Sequence, residues 1–406
     1  MKVQEVILRA MAKQITWWQA AEIIGISDRQ MRRWLRRYEE YGYKGLIDRR
    51  RGRVSERQVP LATVQEVLRL YKEQYFDFNV RHFHEKLVAQ HDIKLSYTWV
   101  KRALQGAGLV KQGRKRGVHR KRRPRRPLPG MLVHIDGSAH QWFCDQRWYD
   151  LIVVMDDATS EIYYAQLVTE ESTRTVLTAL RAVLETKGLF CALYSDRASH
   201  FFLTPKAGEA VDHDRLTQVG RALKELGVKL IPAYSPQARG RSERGFGTWQ
   251  GRLPQELRLR GIRTLEEANR FLREEYCGEF NQRFSVAASE RGTAFVPLRR
   301  KDLDLVFSVQ HERTVARDNT VSFANKVWQL ERSKLRATLA GCRVTIHQHL
   351  DETLSITFGP HLVGRFQADG QVLKQTKPAV EMTPPRKATK TVASRSGLEK
   401  SRSKAA

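Results

Sequence analysis

Apolar residues recur at helical spacing through the first quarter of the chain and in a mixture of strand and helix spacings beyond it. Trp17, Ala20, Ala21 and Ile24 mark one helix, Gly25-Ile26-Ser27 breaks it, and Ser27 with Gln30 is a capping-box signature for the next. In that second helix Met31, Trp34, Leu35 and Tyr38 share a face, and Arg29, Arg32, Arg33, Arg36 and Arg37 occupy the other. A helix pair joined at a glycine, with a cationic outer face on the second helix, predicts a helix-turn-helix unit over 1–55 that enters a major groove.

Residues 56–110 repeat the theme. Leu61, Val64, Leu68 and Tyr71 mark a helix, Val80, Phe83 and Leu87 a second, and Ser96 caps a third with Val100 and Leu104 inward and Lys101 and Arg102 outward. His82, His84 and His91 have no cysteine pair beside them, so a helical-surface role is expected rather than zinc. Residues 111–129 hold ten Lys or Arg, three Pro and no acid, the make-up of an extended linker that follows DNA phosphates.

From 130 to 290 the pattern changes. Short β-branched runs at Val133–Asp136, Leu151–Met155, Ile162–Val168, Leu189–Tyr194 and Lys229–Ala233 predict strands. Ser172–Lys187, Arg215–Leu226, Arg239–Leu253 and Leu265–Phe284 predict helices, with Phe246, Trp249 and Leu253 packing and Pro254 ending or kinking the third. Three strands followed by alternating helices and strands make an α/β layer fold. Residues 291–370 carry about five short strands by the same criterion, which predicts a small β-barrel, and 371–406 read as a disordered basic tail. The expected architecture is therefore multidomain: N-terminal all-α helix-turn-helix units, a central α/β core and a C-terminal small β-barrel.

Charge sharpens this picture. The chain has 72 Lys+Arg against 44 Asp+Glu, a net +28, which points to a polyanionic partner and favours duplex DNA. The four cysteines are far apart, so neither a disulfide framework nor a Cys-based zinc site is expected and a reducing, cytoplasmic setting is. No run of about 18 apolar residues occurs, so no membrane span is expected.

Three carboxylates carry the candidate chemistry. Asp136 ends the first predicted strand, Asp196 follows the fourth, and Glu243 opens a predicted helix. Strand ends of one sheet bring such side chains to one edge, where their repulsion calls for a counter-charge of Mg²⁺ or Mn²⁺. Two such ions roughly 3.5–4 Å apart can drive in-line phosphoryl displacement. Asp156 and Asp157 are explained by a turn between strands.

These residues carry a resemblance. HIDGS at 134–138, YSDRASHF at 194–201 and YSPQARGRSERGFGTWQ at 234–250 resemble bacterial insertion-sequence transposases of the DDE type, with a retroviral-integrase-like (ribonuclease H-like) core, and among them the ISNCY group. The resemblance implies Asp136, Asp196 and Glu243 as metal ligands for two ions. It further implies cleavage at the element's ends, 3′-hydroxyl transfer into target DNA, and a homo-oligomer holding both ends. Two departures stand out. The 46 residues between Asp196 and Glu243 include a polar insertion at Leu203–Asp214. Gly247 and Gln250 occupy positions where relatives often carry a base, which turns attention to Arg239, Arg241, Arg244 and Arg252 for phosphate contact. The rival readings are a catalytically silent DNA-binding regulator and a nuclease of RNA–DNA hybrids; A-form grooves hide their bases from inserted helices, which argues against the second.

Overall fold

The computed structural model describes residues 3–47, 58–111, 123–203, 211–212, 214–234, 240, 242–299, 302–330, 336–369 and 371–373, without the side chains of Ser242 and Glu243. Two compact units, Met1–Lys115 and Arg116–Ala406, divide the chain.

In the first unit, α1 (Val3–Met11), which the apolar spacing does not announce, packs with α2 (Trp17–Ile24) and α3 (Asp28–Tyr41) around Ile7, Ala20 and Met31. Gly25 closes α2 at φ 75°, a left-handed conformation that glycine adopts without strain. Ser27 caps α3 by accepting the Gln30 amide at 3.3 Å. The full reciprocal capping box sits one helix earlier, between Thr16 and Gln19. The second trio is α4 (Leu61–Glu73), α5 (Val80–Gln90) and α6 (Tyr97–Gly106), the last two capped by Asn79 and Ser96. Helix α4 is rotated from its expected register. It buries Val67, Leu70 and Tyr71, leaving Leu61 exposed in the first turn. His82 is not on the surface: it is buried against Phe78, with ring centroids 4.2 Å apart. The rings of His84 and His91 bond to the Leu95 carbonyl at 2.8 Å and the Tyr75 hydroxyl at 3.0 Å.

The second unit is built on a five-stranded sheet of order β3-β2-β1-β4-β5. Strands β1 (Val133–His140), β2 (Tyr149–Asp156) and β3 (Ile162–Val168) form an antiparallel meander, and β4 (Ala192–Ser195) and β5 (Lys229–Pro232) extend it in parallel. Alternation along β1 sorts the two faces. Val133 and Ile135 pack with α7 (Thr173–Lys187) and α8 (Gln218–Glu225) on one side. The other face, through Leu151, Val153 and Met155, packs under α9 (Ser242–Gln250), α10 (Leu253–Leu259), and α11 (Leu265–Phe271) with α12 (Cys277–Phe284). The expected Arg239–Leu253 helix is shorter, and Pro254 lies in the first turn of α10, where its missing N–H costs nothing. The expected Leu265–Phe284 helix runs through, with one π-helical turn at Leu272–Tyr276 joining α11 to α12.

Two stretches differ from the expected partition. The end of the basic linker is docked on the core: the carbonyls of Pro127 and Pro129 accept the amides of Glu290 and Ala294 at 3.3 and 2.8 Å. Downstream, Val306 and Phe307 are buried in the same cluster as α7 and α8. The C-terminal region is not a closed barrel. Strands β6 (Val309–Thr314), β9 (Arg343–Gln348), β10 (Leu354–Phe358) and β11 (His361–Phe366) form an open sheet of order β11-β10-β9-β6. Its outer strands do not pair with each other among the described residues. A separate ribbon, β7 (Thr320–Phe323) with β8 (Lys326–Gln329), shields the apolar face through Val321 and Trp328, so burial is achieved without closure. Strand β6, mostly polar and half-exposed, carries no apolar run that would announce it.

Candidate active site

Strand β1 pairs in parallel with β4, His134 opposite Tyr194. Their rings meet edge to face at 5.2 Å, so the two residues share one face of the sheet. Asp136 and Asp196 lie two positions further along their chains, and a period of two returns a side chain to the same face. Neighbouring strands are about 4.8 Å apart; Asp136 does not end its strand as expected, since β1 runs on to His140, and Asp196 stands just past the end of β4. Asp136 is 6% exposed. Asp196 is half-buried just beyond β4, its Oδ1 accepting the Ala198 amide at 3.0 Å.

Helix α9 lies over this face. A narrow cleft is lined by His134, Asp136, Val153, Met155, Phe246 and Trp249. Trp249 is fully buried and stacks on Phe280 at 4.5 Å, which fixes the helix laterally. Gln250 Nε2 donates to Ser138 Oγ at 3.0 Å, which ties the end of α9 to β1. Position 243 falls in the first turn of α9, three before Phe246 and seven before Gln250, hence on the stripe of positions that meets β1. Its side chain lies outside the described residues.

Behind Asp136 the backbone is constrained. A Cβ at Gly137 would stand 2.2 Å from Oε2 of Glu171, so any larger residue there pushes that carboxylate aside. Glu171 in turn bonds the His200 ring at 2.9 Å, joining the start of α7 to the loop that carries Asp196. Asp156 and Asp157 are fully buried and occupied structurally. Asp156 accepts the amides of Gly130, Ala158 and Thr159, and Asp157 accepts the His134 ring at 2.7 Å and the Arg126 amide at 2.8 Å.

Residues 4–53 match a helix-turn-helix domain family and residues 30–104 a homeodomain-like domain family. A Sinorhizobium fredii chain bearing the name transposase y4bF is 31% identical over 363 residues, covering 88% of this chain and 78% of its own length. The chain belongs to the insertion-sequence transposases. The transposase for insertion sequence IS1202 of Streptococcus pneumoniae is 28% identical over 340 residues, covering 75% of this chain and 72% of its own. Among solved structures, the HTLV-2 integrase catalytic core domain in complex with magnesium is 16% identical with a TM-score of 0.28, covering 37% of this transposase and 90% of that chain. A simian T-cell lymphotropic virus intasome in complex with a PP2A regulatory subunit is 12% identical with a TM-score of 0.31, covering 69% and 91%.

In the transposase, Arg29, Arg32, Arg33, Arg36 and Arg37 are all exposed on α3, Arg32 paired with Asp28 one turn back. Lys101 and Arg102 are exposed on α6. Arg244 is exposed, its Nε donating to the Gly240 carbonyl at 3.1 Å. Arg239 and Arg241 lie outside the described residues. Arg252, by contrast, is 6% exposed and sits over the Phe284 ring, so it is packed into the helical layer rather than offered to solvent. The Glu171–His200 pair and the Asp157 cluster escape sequence reasoning. Gly137 directly after a candidate carboxylate is the local signal for the first; nothing in the order of residues links Asp157 to His134 or Arg126.

Proposed function

We propose that this transposase cuts a phosphodiester at each end of its insertion sequence and joins the freed 3′-hydroxyl to target DNA, with Asp136, Asp196 and Glu243 as the catalytic carboxylates. The observation that supports this reading is the pairing of His134 with Tyr194, each two positions before one of the aspartates. Asp136 is buried beside apolar Val153, Met155 and Phe246, so a second carboxylate next to it raises a cost that a cation relieves. An all-oxygen donor set with no histidine or cysteine in it suits Mg²⁺ or Mn²⁺, two per site, held by Asp136, Asp196 and Glu243. Such ions, when bound, supply Lewis-acid activation and charge stabilisation in phosphoryl transfer.

The protein's own groups do the rest. Asp136, on β1, and Asp196, at the end of the neighbouring β4, flank the site; α9, pinned by Trp249 and Gln250, closes the cleft against bulk water. Cleavage by water breaks the phosphorus–oxygen bond on the 3′ side, the leaving oxygen takes a proton and a 3′-hydroxyl remains. In joining, that oxygen attacks a target phosphorus and a target 3′-oxygen departs. The arginine face of α3, with Lys101 and Arg102, binds the terminal repeats, and Arg239, Arg241 and Arg244 hold phosphates near the carboxylates. Processing both ends together makes a homo-oligomer on duplex DNA the working form.

The test is nicking of labelled end DNA by the full chain under a Mg²⁺ titration. Cleavage that rises with Mg²⁺ or Mn²⁺ and stops on chelation, while end binding persists, supports the reading; cleavage indifferent to chelation overturns it.

A further inference from the structure

The basic linker ends in an anchor that the transposition reaction as derived above does not use. Asp157, fully buried in the β2–β3 turn, gathers three elements. Its Oδ1 accepts the His134 ring at 2.7 Å and pairs with the Arg123 guanidinium, and its Oδ2 accepts the Arg126 amide at 2.8 Å. Arg125 grips the same turn, its Nη1 donating to the Asp157 and Ala158 carbonyls at 3.0 and 3.2 Å and to Ser160 Oγ at 2.8 Å. A carboxylate removed from water is held only where charge and hydrogen bonds meet it, and here the basic linker itself supplies most of them. The cationic run therefore splits in function. Its last residues do not wait for phosphate; they are structural ligands of a buried acid.

We propose that Asp157 is a positioning residue that fixes where the transposase cuts relative to where it binds. The proposal rests on the carboxylate site described under the proposed function, which it deepens. Two consequences of the anchor lead to it. First, His134 lines the cleft beside Asp136, so the group that holds the linker also holds a wall of the site. Second, pinning residues 123–126 to the core takes them out of the tether to the DNA-reading unit, while Pro127 and Pro129 are held separately by Glu290 and Ala294. Four extended residues reach at most ~14 Å, about four base steps at ~3.4 Å each. With the anchor made, that slack is absent; with it broken, neighbouring phosphodiesters come within reach of the same carboxylates.

The experiment uses the full chain, wild type beside Asp157→Asn, with two readouts. Asparagine keeps the shape but cannot accept from all three partners. Trypsin cleavage between Arg125 and Arg126 is expected to speed up at least tenfold in the variant. Cuts in end DNA, mapped at nucleotide resolution, are expected to spread from one phosphodiester over several neighbours, with end binding within twofold of wild type. A merely structural role lowers yield without moving the cut, so a variant that cuts less at the wild-type position alone overturns the proposal. Unchanged trypsin sensitivity overturns it too, independently of catalysis. Arg125→Gln, altering an exposed side chain that grips the same turn, repeats the mapping should Asp157→Asn fold poorly. Asp196→Asn runs alongside: if it cuts as wild type does, the carboxylate reading fails, and the anchor is then judged by the trypsin readout alone.

Discussion

At the residue scale, fit and charge decide. The Glu171 carboxylate occupies the space that a methyl group at Gly137 would take. Gly137→Ala is expected to swing that carboxylate aside and break its bond to His200, at a cost of about 0.5–1.5 kcal/mol, and to lower cleavage more than end binding, since the loop that carries Asp196 loses its tie to Glu171. Thermal unfolding and the cleavage assay together check this. His347 is a second case. Burial, reinforced by His349 and Arg221, lowers its pKa to about 4, and its ring bonds Ser308 at 3.0 Å and Thr357 at 3.0 Å. The folded pKa lies below the unfolded value, so the unfolded chain binds the extra proton first. The contribution is complete above about pH 6.5 and is lost as pH falls toward 4. Denaturation midpoints are expected to drop between pH 7 and 5, and His347→Gln is expected to flatten that drop.

At the scale of elements, α9 is the piece on which the proposed site depends, because it both covers Asp136 and carries position 243. Trp249→Ala is expected to cost about 3–5 kcal/mol, read as a lower denaturation midpoint, since its ring is fully buried against Phe280. The same helix shows what the residue pattern can reveal. The Phe246, Trp249 and Leu253 stripe is legible because helical periodicity is local, and so are the strands near Asp136 and Asp196, although β1 continues past Asp136 to His140 because its polar end still pairs with β2. What is not legible is long-range. Arg123 meeting Asp157, Glu171 filling the space over Gly137, and β6 joining an open sheet all depend on partners that no periodicity specifies. The expected barrel fails for a related reason: strand count is readable, whereas closure depends on which edges pair. The α4 stripe misses by a fraction of a turn because Leu61, apolar but in the first turn, reads like core and is exposed.

At the scale of the whole molecule, the helix-turn-helix elements lie in one compact unit, Met1–Lys115, and the proposed carboxylates in the other, Arg116–Ala406. Binding and cutting are accordingly expected to separate by mutation. Replacing Arg29, Arg33 and Arg36, all exposed on α3, with Gln in the full chain should weaken end binding. The slope of log affinity against log salt should fall by about 0.9 for each phosphate that the variant leaves unneutralised. A slope unchanged from wild type would remove α3 from the phosphate interface. The central claim, that Asp136, Asp196 and Glu243 act as one site, is tested most directly by single-turnover cleavage of pre-bound end DNA in Mg²⁺ with Asp136→Asn, Asp196→Asn and Glu243→Gln side by side. Each variant is expected to bind the end like wild type and to cleave at least ~100-fold more slowly, the order of loss seen when one group of a charge-stabilising site is removed. Any one of the three cutting at the wild-type rate would contradict it.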